Sequence, residues 1–258
     1  MSRRGDVRIV ADAAELTRAA AEEVVAALTS LPAPPSVLLS GGSTPRALLS
    51  LLADRAAPYR ARIPWDSVRL FWGDERHVPP DHPDSNFRMA REALLDHVPV
   101  PAAHVHRIAA EEPDAAAAAR AYERDLVESF GLNPDRDGAA SPDALDWPRF
   151  SLVLLGLGEE GHTASLFPGS PVLGERRHLT AAPWVAAHDT WRITVTPPVL
   201  NHGARVLFLV SGAAKAAALA AVVDGPPRPE LYPAQVVAPA AGRLLWLVDR
   251  AAATRLRE

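Results

Sequence analysis

The chain lacks cysteine entirely among its 258 residues. This absence excludes disulfide bonds, thiolate metal sites and cysteine nucleophiles. Lysine is almost absent as well, since Lys215 is the only one in a chain that otherwise uses arginine. No apolar run approaches the length of a membrane span, and the N-terminal segment lacks the apolar core of a signal peptide. We therefore expect a cytoplasmic protein without a membrane partner.

The charge balance is mildly acidic, with a net charge of −4 at pH 7. Nucleic-acid binding proteins carry a basic patch or stripe, so we expect no nucleic-acid partner. A local basic cluster can still bind a small anion in such a protein. Hydrophobic residues make up 48% and charged residues 22% of the chain, which are ordinary values for a soluble globular protein.

Short apolar runs alternate with longer amphipathic segments along the chain. The predicted strands are 7–10, 36–40, 68–74, 150–158, 191–196, 205–212 and 244–249. The predicted helices are 12–29, 44–56, 85–96, 112–130 and 213–223, and the main predicted loops are 131–148 and 224–237. Several strands are apolar throughout, as in strands covered on both faces. The alternation predicts an α/β fold with a mostly parallel sheet and helices on both faces, in a single domain spanning 1–258.

In such sheets ligands bind beyond the carboxyl ends of the strands. The predicted strand 36–40 ends in a turn of small residues, and Pro45 then suits the first turn of a helix. Free backbone N–H groups at a helix N-terminus favour phosphate, although an ordinary capped turn has the same composition. The motif is not a Walker loop, because no Gly-Lys-Ser/Thr follows. The turn comprises Ser40, Gly41, Gly42, Ser43 and Thr44.

The predicted strand 68–74 runs into a charged stretch, GDERHV, and then into a loop rich in proline and aspartate. Ser85 has the residue type and position of a helix N-cap. A solvated charged loop is the alternative explanation, but the position at a strand end favours a ligand site. The candidate site residues here are Asp74, Arg76, Asn86 and Arg88.

The stretch GLGEEGHTASLFPG follows the predicted strand 150–158 and presents Glu160 and His162 on a glycine-rich turn. Its first six residues match the G-x-G-x-x-G pattern of dinucleotide sites. Pro168 and Pro171 leave no room for the long helix that such a site needs. A glycine turn that exposes His162 as an acid–base group explains the stretch better, and a structural histidine capping the turn is the alternative.

Lys215 lies in the first turn of the predicted helix 213–223. A cation is unfavourable at a helix N-terminus unless an anion binds there, so the position suggests a phosphate ligand. A solvent-exposed lysine is the alternative. No group of histidine and carboxylate residues has the spacing of metal ligands, and the stretch HVHRI at 104–108 is better explained as a strand edge. Together these strand ends suit general acid–base chemistry on a small phosphorylated molecule.

At these residues the sequence resembles the 6-phosphogluconolactonases of the glucosamine-6-phosphate deaminase/isomerase-like superfamily. The stretches LSGGSTP, WGDERHV, LGLGEEGHTASLFPG and VSGAAKAAAL carry the resemblance, which extends from about Val7 to Val248. It implies a three-layer α/β/α, Rossmann-like fold that needs neither metal nor organic cofactor. It also implies hydrolysis of 6-phospho-D-glucono-1,5-lactone to 6-phosphogluconate, the second step of the oxidative pentose phosphate pathway.

The resemblance also implies roles for individual residues. His162 matches the catalytic histidine, and Arg76 and Lys215 match phosphate-contacting residues. Glu160 departs from the aspartate that is usual before the GHTASLFP stretch. We expect Glu160, Asp74 or both to orient His162, while the small-residue turn helps to hold the phosphate.

Two other functions are compatible with parts of this pattern. A deaminase/isomerase acting on an amino-sugar phosphate would need further placed carboxylates, and the segment after His162 has none. A sensor of sugar phosphates would keep the phosphate site and lose the base, whereas His162 and Asp74 are both present. We expect a monomer or weak homodimer whose only partner is the phosphorylated substrate.

Overall fold

The computed structural model of the protein describes residues 3–30, 34–139, 141 and 144–257. Residues 140, 142 and 143 of the predicted loop 131–148 lie outside the described residues. The strands are β1 (Asp6–Val10), β2 (Ser36–Leu39), β3 (Arg69–Trp72), β4 (Asp74–Arg76), β5 (Val105–His106), β6 (Leu152–Gly156), β7 (Thr180–Ala181), β8 (Trp184–Val185), β9 (Thr190–Val195), β10 (Arg205–Val210) and β11 (Arg243–Asp249). The α-helices are α1 (Ala13–Thr29), α2 (Ser43–Ala53), α3 (Asn86–Ala93), α4 (Ala115–Phe130), α5 (Pro197–Asn201), α6 (Ala216–Val223) and α7 (Arg250–Ala253).

Seven strands form one parallel sheet in the order β1-β11-β10-β6-β2-β3-β5. The central strands β2, β6 and β10 are almost wholly buried, whereas β1 at one edge is mostly exposed. Burial on both faces explains why the central strands read as continuous apolar runs. The predicted α/β fold, a three-layer, mostly parallel Rossmann-like sheet with helices on both faces, is confirmed.

Large aromatic side chains fill the core around this sheet. Phe208 of β10 stacks on Trp246 of β11 with ring centroids 3.8 Å apart. Tyr122 of α4 is fully buried, and its hydroxyl hydrogen-bonds the backbone N–H and carbonyl of Trp72, each at 2.9 Å. Burial raises the pKa of Tyr122 far above its usual range, which keeps the hydroxyl protonated as a donor. This contact fixes α4 against the end of β3.

Two predicted strands belong partly or wholly to a second, antiparallel sheet. The predicted strand 68–74 divides at Gly73 into β3 and β4, and β4 leaves the parallel sheet. The predicted strand 191–196 forms β9, which pairs antiparallel with β4, β7 and β8. A Cβ at Gly73 would lie 3.3 Å from the Leu39 carbonyl oxygen, so glycine suits this close passage. Local propensity predicts that a segment is a strand but not which sheet it joins.

The helix starts follow ordinary capping chemistry. Asp12 accepts a hydrogen bond from the Glu15 N–H at the start of α1, and Ser85 accepts one from Arg88 at the start of α3. The predicted helix 213–223 begins instead with a 3₁₀ turn, Ala213–Lys215, before α6. In the described ranges no helix has both the length and the apolarity needed to cross a bilayer.

The strand order places the ligand site. The chain progresses outward from β2 to β3 and β5, whereas β6, β10 and β11 lie on the other side of β2. The reversal of strand order therefore falls between β2 and β6. Open α/β sheets bind ligands at the carboxyl ends of the strands at such a switch point.

Candidate active site

A cavity of about 220 Å³ lies at this switch point, where the segments after β2, β3, β6 and β10 meet. Its lining combines glycine-rich backbone with acidic, basic and imidazole side chains. Three larger hollows, of about 520, 440 and 390 Å³, contain none of the predicted site residues. The cavity is lined by Ser40, Gly41, Gly42, Asp74, Arg76, Asn86, Gly156, Leu157, Gly158, His162, Thr163, Ala164 and Lys215.

His162 sits on the turn that follows β6. The turn closes through a hydrogen bond of 2.9 Å from the Gly158 N–H to the His162 carbonyl. The imidazole ring lies directly over Gly158, because a Cβ at that residue would be 2.1 Å from His162 Nδ1. The ring also stacks on Phe167, with centroids 4.3 Å apart. Gly158 and Phe167 together restrict the ring plane. Any larger residue than glycine at residue 158 would collide with the imidazole.

Glu160 provides a carboxylate beside the imidazole. Its Oε1 atom lies 3.0 Å from His162 Nδ1, but the angles at this contact do not meet the requirements of a hydrogen bond. Glu160 is half exposed and stands at the rim of the cavity rather than in its lining. Glu160 therefore acts on His162 mainly through its charge. The glutamate side chain, which is longer than the aspartate usual at this position, reaches the ring. Without an aligned hydrogen bond it restricts the ring orientation less.

The environment of His162 favours its neutral form. Burial lowers the pKa of the imidazole below 6.5, and the Glu160 and Asp74 carboxylates oppose part of that shift. A neutral imidazole has a free lone pair, so it can accept a proton near neutral pH. The cavity thus holds an imidazole whose lone pair is available near neutral pH.

Asp74 is buried at the start of β4 and is held by two neighbours. Ser165 donates its hydroxyl to Asp74 Oδ2 at 2.7 Å, and Asn86 Nδ2 contacts Oδ1 at 3.2 Å and the Asp74 carbonyl at 2.9 Å. The hydrogen bonds of Asp74 go to these residues rather than to the His162 ring, so Asp74 acts on His162 through space. The sequence did not predict the contact of Ser165 with Asp74, because 91 residues separate the two and no local pattern links them.

Glu75 anchors the start of α3 and thereby positions Asn86. Its buried carboxylate accepts hydrogen bonds from the backbone N–H groups of Asn86 at 2.7 Å and Phe87 at 2.8 Å. Burial raises the pKa of Glu75, and the backbone N–H donors counteract that shift. Gly41 leaves room for Asn86, because a Cβ there would be 1.9 Å from Asn86 Oδ1.

Two cationic side chains, Arg76 and Lys215, line the same cavity. Arg76 follows Asp74 on β4, with Glu75 between them on the opposite face. Lys215 immediately precedes α6, and its Nζ atom lies 3.8 Å from Glu159 Oε1. A positive charge at this place is consistent with an anion held at the helix start.

The small-residue turn contributes to the cavity in part. Ser40, Gly41 and Gly42 line it, whereas Ser43 and Thr44 do not and instead form the first residues of α2. Gly42 has a φ of 105°, a conformation that favours glycine. The first N–H groups of a helix have no partner within the helix, so the start of α2 offers donors to an anion.

Arg88 does not lie in the cavity, contrary to the sequence-based expectation. Its guanidinium pairs with Glu92 at 2.6 Å and donates to the Asp81 carbonyl at 2.9 Å. Arg88 follows Asn86 by two helical residues, and residues so spaced point to different faces of a helix. With Asn86 directed to the cavity, Arg88 is turned away from it.

Metal ligands are also absent from the described ranges, where no three histidine or carboxylate residues cluster as a cation site. His106 of the stretch 104–108 pairs with Asp125 at 2.9 Å and stacks on Phe71. It lies on β5, the edge strand of the parallel sheet, as the sequence indicated.

Comparison with known proteins assigns the family. Residues 11–246 match the model of the glucosamine-6-phosphate isomerases/6-phosphogluconolactonase family. The chain belongs to this family. Because the family description includes both activities, membership alone does not choose between the isomerases and the lactonases.

Individual relatives are named after only one of the two activities. A 6-phosphogluconolactonase of Synechocystis sp. is 41% identical over 86% of this chain and 85% of its own length. A 6-phosphogluconolactonase of Mycobacterium tuberculosis is 40% identical over 97% of this chain and 98% of its own length. The solved structure of 6-phosphogluconolactonase from Trypanosoma cruzi superposes with a TM-score of 0.83 at 29% identity, covering 100% of this chain and 99% of that one.

Proposed function

We propose that this chain, acting as one catalytic domain, hydrolyses 6-phospho-D-glucono-1,5-lactone to 6-phosphogluconate, with His162 as the general base. One observation carries the proposal. A neutral histidine with a carboxylate 3.0 Å from its ring shares a small cavity with an arginine and the only lysine of the chain. The two relatives named 6-phosphogluconolactonase, each at least 40% identical along most of the chain, support the same substrate.

The first step is attack of water on C1 of the lactone. His162 accepts a proton from the water as the new C1–O bond forms, and the carbonyl electrons move onto the carbonyl oxygen. The Glu160 carboxylate, near Nδ1, stabilises the imidazolium that results. This arrangement leaves Nε2 as the accepting nitrogen.

The second step breaks the bond between C1 and the ring oxygen. The tetrahedral intermediate collapses, and the ring oxygen leaves as a hydroxyl group after it takes the proton from His162. The sugar acid is released in its open form, and His162 returns to its neutral state. One residue thus serves as base and then as acid, and water supplies all the atoms that are added.

The phosphate of the substrate fixes C1 relative to His162. Arg76, Lys215 and the start of α2 form the cationic and N–H-rich part of the cavity. Asn86 lies in the same lining and is within reach of a substrate hydroxyl or phosphate oxygen. Binding energy at the phosphate holds the reactive carbon in place, which lowers the entropic part of the barrier.

Product analysis tests this function directly. Fresh 6-phosphogluconolactone should give 6-phosphogluconate well above the spontaneous rate, and glucosamine-6-phosphate should release no ammonia. Ammonia release without lactone hydrolysis would assign the chain to the isomerases. Binding of both compounds without turnover of either would assign it a sensor function.

A further inference from the structure

Arg192 lies beside the active site and was not singled out by the sequence. It is on β9, and in the antiparallel register it stands directly opposite Arg76, just as Thr194 stands opposite Asp74. Residues directly opposite on antiparallel strands present their side chains to the same face of the sheet. Arg76 and Asp74 both line the cavity, so Arg192 lies on the cavity face of the small sheet.

The contacts of Thr194 support this placement. Its hydroxyl accepts a hydrogen bond of 3.3 Å from the Ser165 N–H, and the Ser165 hydroxyl in turn holds Asp74. This face of β9 is therefore continuous with the network that holds the Asp74 carboxylate.

The pairing of Arg76 with Arg192 is unfavourable within the protein itself. Like charges directly opposite each other in a sheet are destabilising. Over the ranges that the structure describes, neither guanidinium forms an ion pair with a carboxylate, and Arg192 Nε is buried without a hydrogen-bond acceptor. Burial first, and then the nearby Arg76 charge, lower the pKa of Arg192, while the Asp74, Asp84 and Glu75 carboxylates oppose part of that shift. Arg76 donates to the Asp84 carbonyl, whereas the buried Arg192 Nε atom has no acceptor among the described residues. Buried donors in proteins normally have acceptors, so Arg192 fits an anionic ligand beside Arg76.

We propose that Arg192 binds the phosphate of the substrate together with Arg76. The inference rests on the proposed function. The lactone ring carries no charge, so the phosphate is the only anionic group of the substrate. A phosphate monoester offers three terminal oxygens, enough for two planar guanidinium groups that each donate two hydrogen bonds. Arg192 is then a specificity residue, since it favours phosphorylated over unphosphorylated lactones.

The test compares Arg192→Gln with wild type on two substrates, 6-phosphogluconolactone and unphosphorylated gluconolactone. We expect kcat/KM on the phosphorylated lactone to fall by about 10–100-fold, the effect of losing a charge-assisted contact. On gluconolactone the change should be less than about threefold, because this substrate has no phosphate to lose. Arg192→Lys keeps the charge but loses the planar fork, so its loss should be intermediate.

Melting temperature separates this role from a structural one. Removing one of two opposed charges should leave the melting temperature of Arg192→Gln, measured without ligand, unchanged or higher. Arg18→Gln is the matched control, because Arg18 is an exposed arginine of α1 that does not line the cavity. It should change neither substrate preference nor melting temperature.

The outcomes separate this proposal from the proposed function. Equal losses on both lactones, no loss on either, or a lowered melting temperature would overturn the role of Arg192 while leaving lactone hydrolysis intact. Wild type that hydrolyses no lactone would overturn the proposed function. Calorimetric titration with 6-phosphogluconate and gluconate tests Arg192 without turnover. Selectively weaker binding of 6-phosphogluconate to Arg192→Gln supports the proposal, and unchanged binding overturns it.

Discussion

At the scale of single residues, His162 is defined by what surrounds it. Gly158 lies under the ring, Phe167 stacks on it, and Glu160 places a charge near Nδ1. None of these neighbours changes the intrinsic chemistry of imidazole. Gly158 and Phe167 restrict its orientation, burial favours its neutral form, and Glu160 favours the imidazolium that forms when the ring accepts a proton.

Gly158→Ala tests the role of the ring position without removing the base. The new Cβ would be 2.1 Å from His162 Nδ1, so the ring must move. We expect kcat to fall at least tenfold, because small displacements of a catalytic group have large effects on rate. Steady-state kinetics with circular dichroism measures this. Gly174→Ala is the control, since a Cβ there meets no atom within 4 Å. Unchanged kcat in Gly158→Ala would contradict the proposed fit of the ring.

The pH dependence tests the charge on Glu160. Burial lowers the pKa of His162, so kcat/KM should fall with decreasing pH only below 6.5, where the imidazole becomes protonated. Glu160→Gln removes a negative charge that favours the imidazolium, so the pKa of His162 should fall further. The acid limb should then move to lower pH. Glu159→Gln is the control, because it also removes one negative charge but at a carboxylate that lies near Lys215 rather than His162. It should move the acid limb of the pH profile less. An acid limb that moves upward in Glu160→Gln would contradict this assignment.

At the scale of elements, the short strand β4 and the helix α3 support the active site together. Glu75 joins them, because its carboxylate accepts hydrogen bonds from the N-terminus of α3 and from the Ser85 hydroxyl at 3.1 Å. On the opposite face of β4, Asp74 and Arg76 enter the cavity. The alternation of a strand thus sends one carboxylate to a structural role and another to the catalytic site.

Glu75→Gln tests this support. The amide retains one acceptor oxygen, so one of the two buried N–H groups at the start of α3 loses its acceptor. We expect the free energy of unfolding to fall by about 1–3 kcal/mol, the cost of leaving buried donors unsatisfied. Urea denaturation measures the change. Glu112→Gln, at an exposed residue, is the control and should have no comparable effect. Equal stability of Glu75→Gln and wild type would show that Glu75 does not hold α3.

Sequence patterns predicted the positions of strands and helices better than they predicted which strands pair with each other. The strands of the parallel sheet and the residues after them follow from local runs, caps and glycine turns. The separate antiparallel sheet did not, because the pairing of β4 with β9 joins segments more than a hundred residues apart. The prediction that Arg88 lies in the site failed for a related reason. The direction of its side chain depends on how Glu75 and Asn86 fix the rotation of α3, which no local pattern shows.

The same limit applies to the active site. The grouping of His162, Asp74, Arg76 and Lys215 around one cavity could be predicted from the sequence, because each follows a strand whose carboxyl end lies at the same edge of the sheet. The placement of Ser165 beside Asp74 and of Arg192 opposite Arg76 could not be predicted, because both depend on contacts between distant segments.

At the scale of the whole molecule, the order of the strands determines where chemistry occurs. The reversal of strand order between β2 and β6 places a cavity at that edge of the sheet, and the segments after four strands bring an imidazole, a buried carboxylate and two cations to it. A parallel sheet covered by helices provides the rigid frame that holds them. Hydrolysis of a phosphorylated lactone requires little more, since the ester is activated and the nucleophile is water.

One measurement tests the central claim most directly: turnover of freshly prepared 6-phosphogluconolactone by wild type and by His162→Ala, with the spontaneous rate subtracted. Loss of a general base reduces kcat by about 10²–10⁴-fold. We expect wild type to hydrolyse the lactone, and we expect His162→Ala to show this loss while keeping the circular dichroism spectrum and melting temperature of wild type. A correctly folded His162→Ala variant with wild-type kcat would contradict the account.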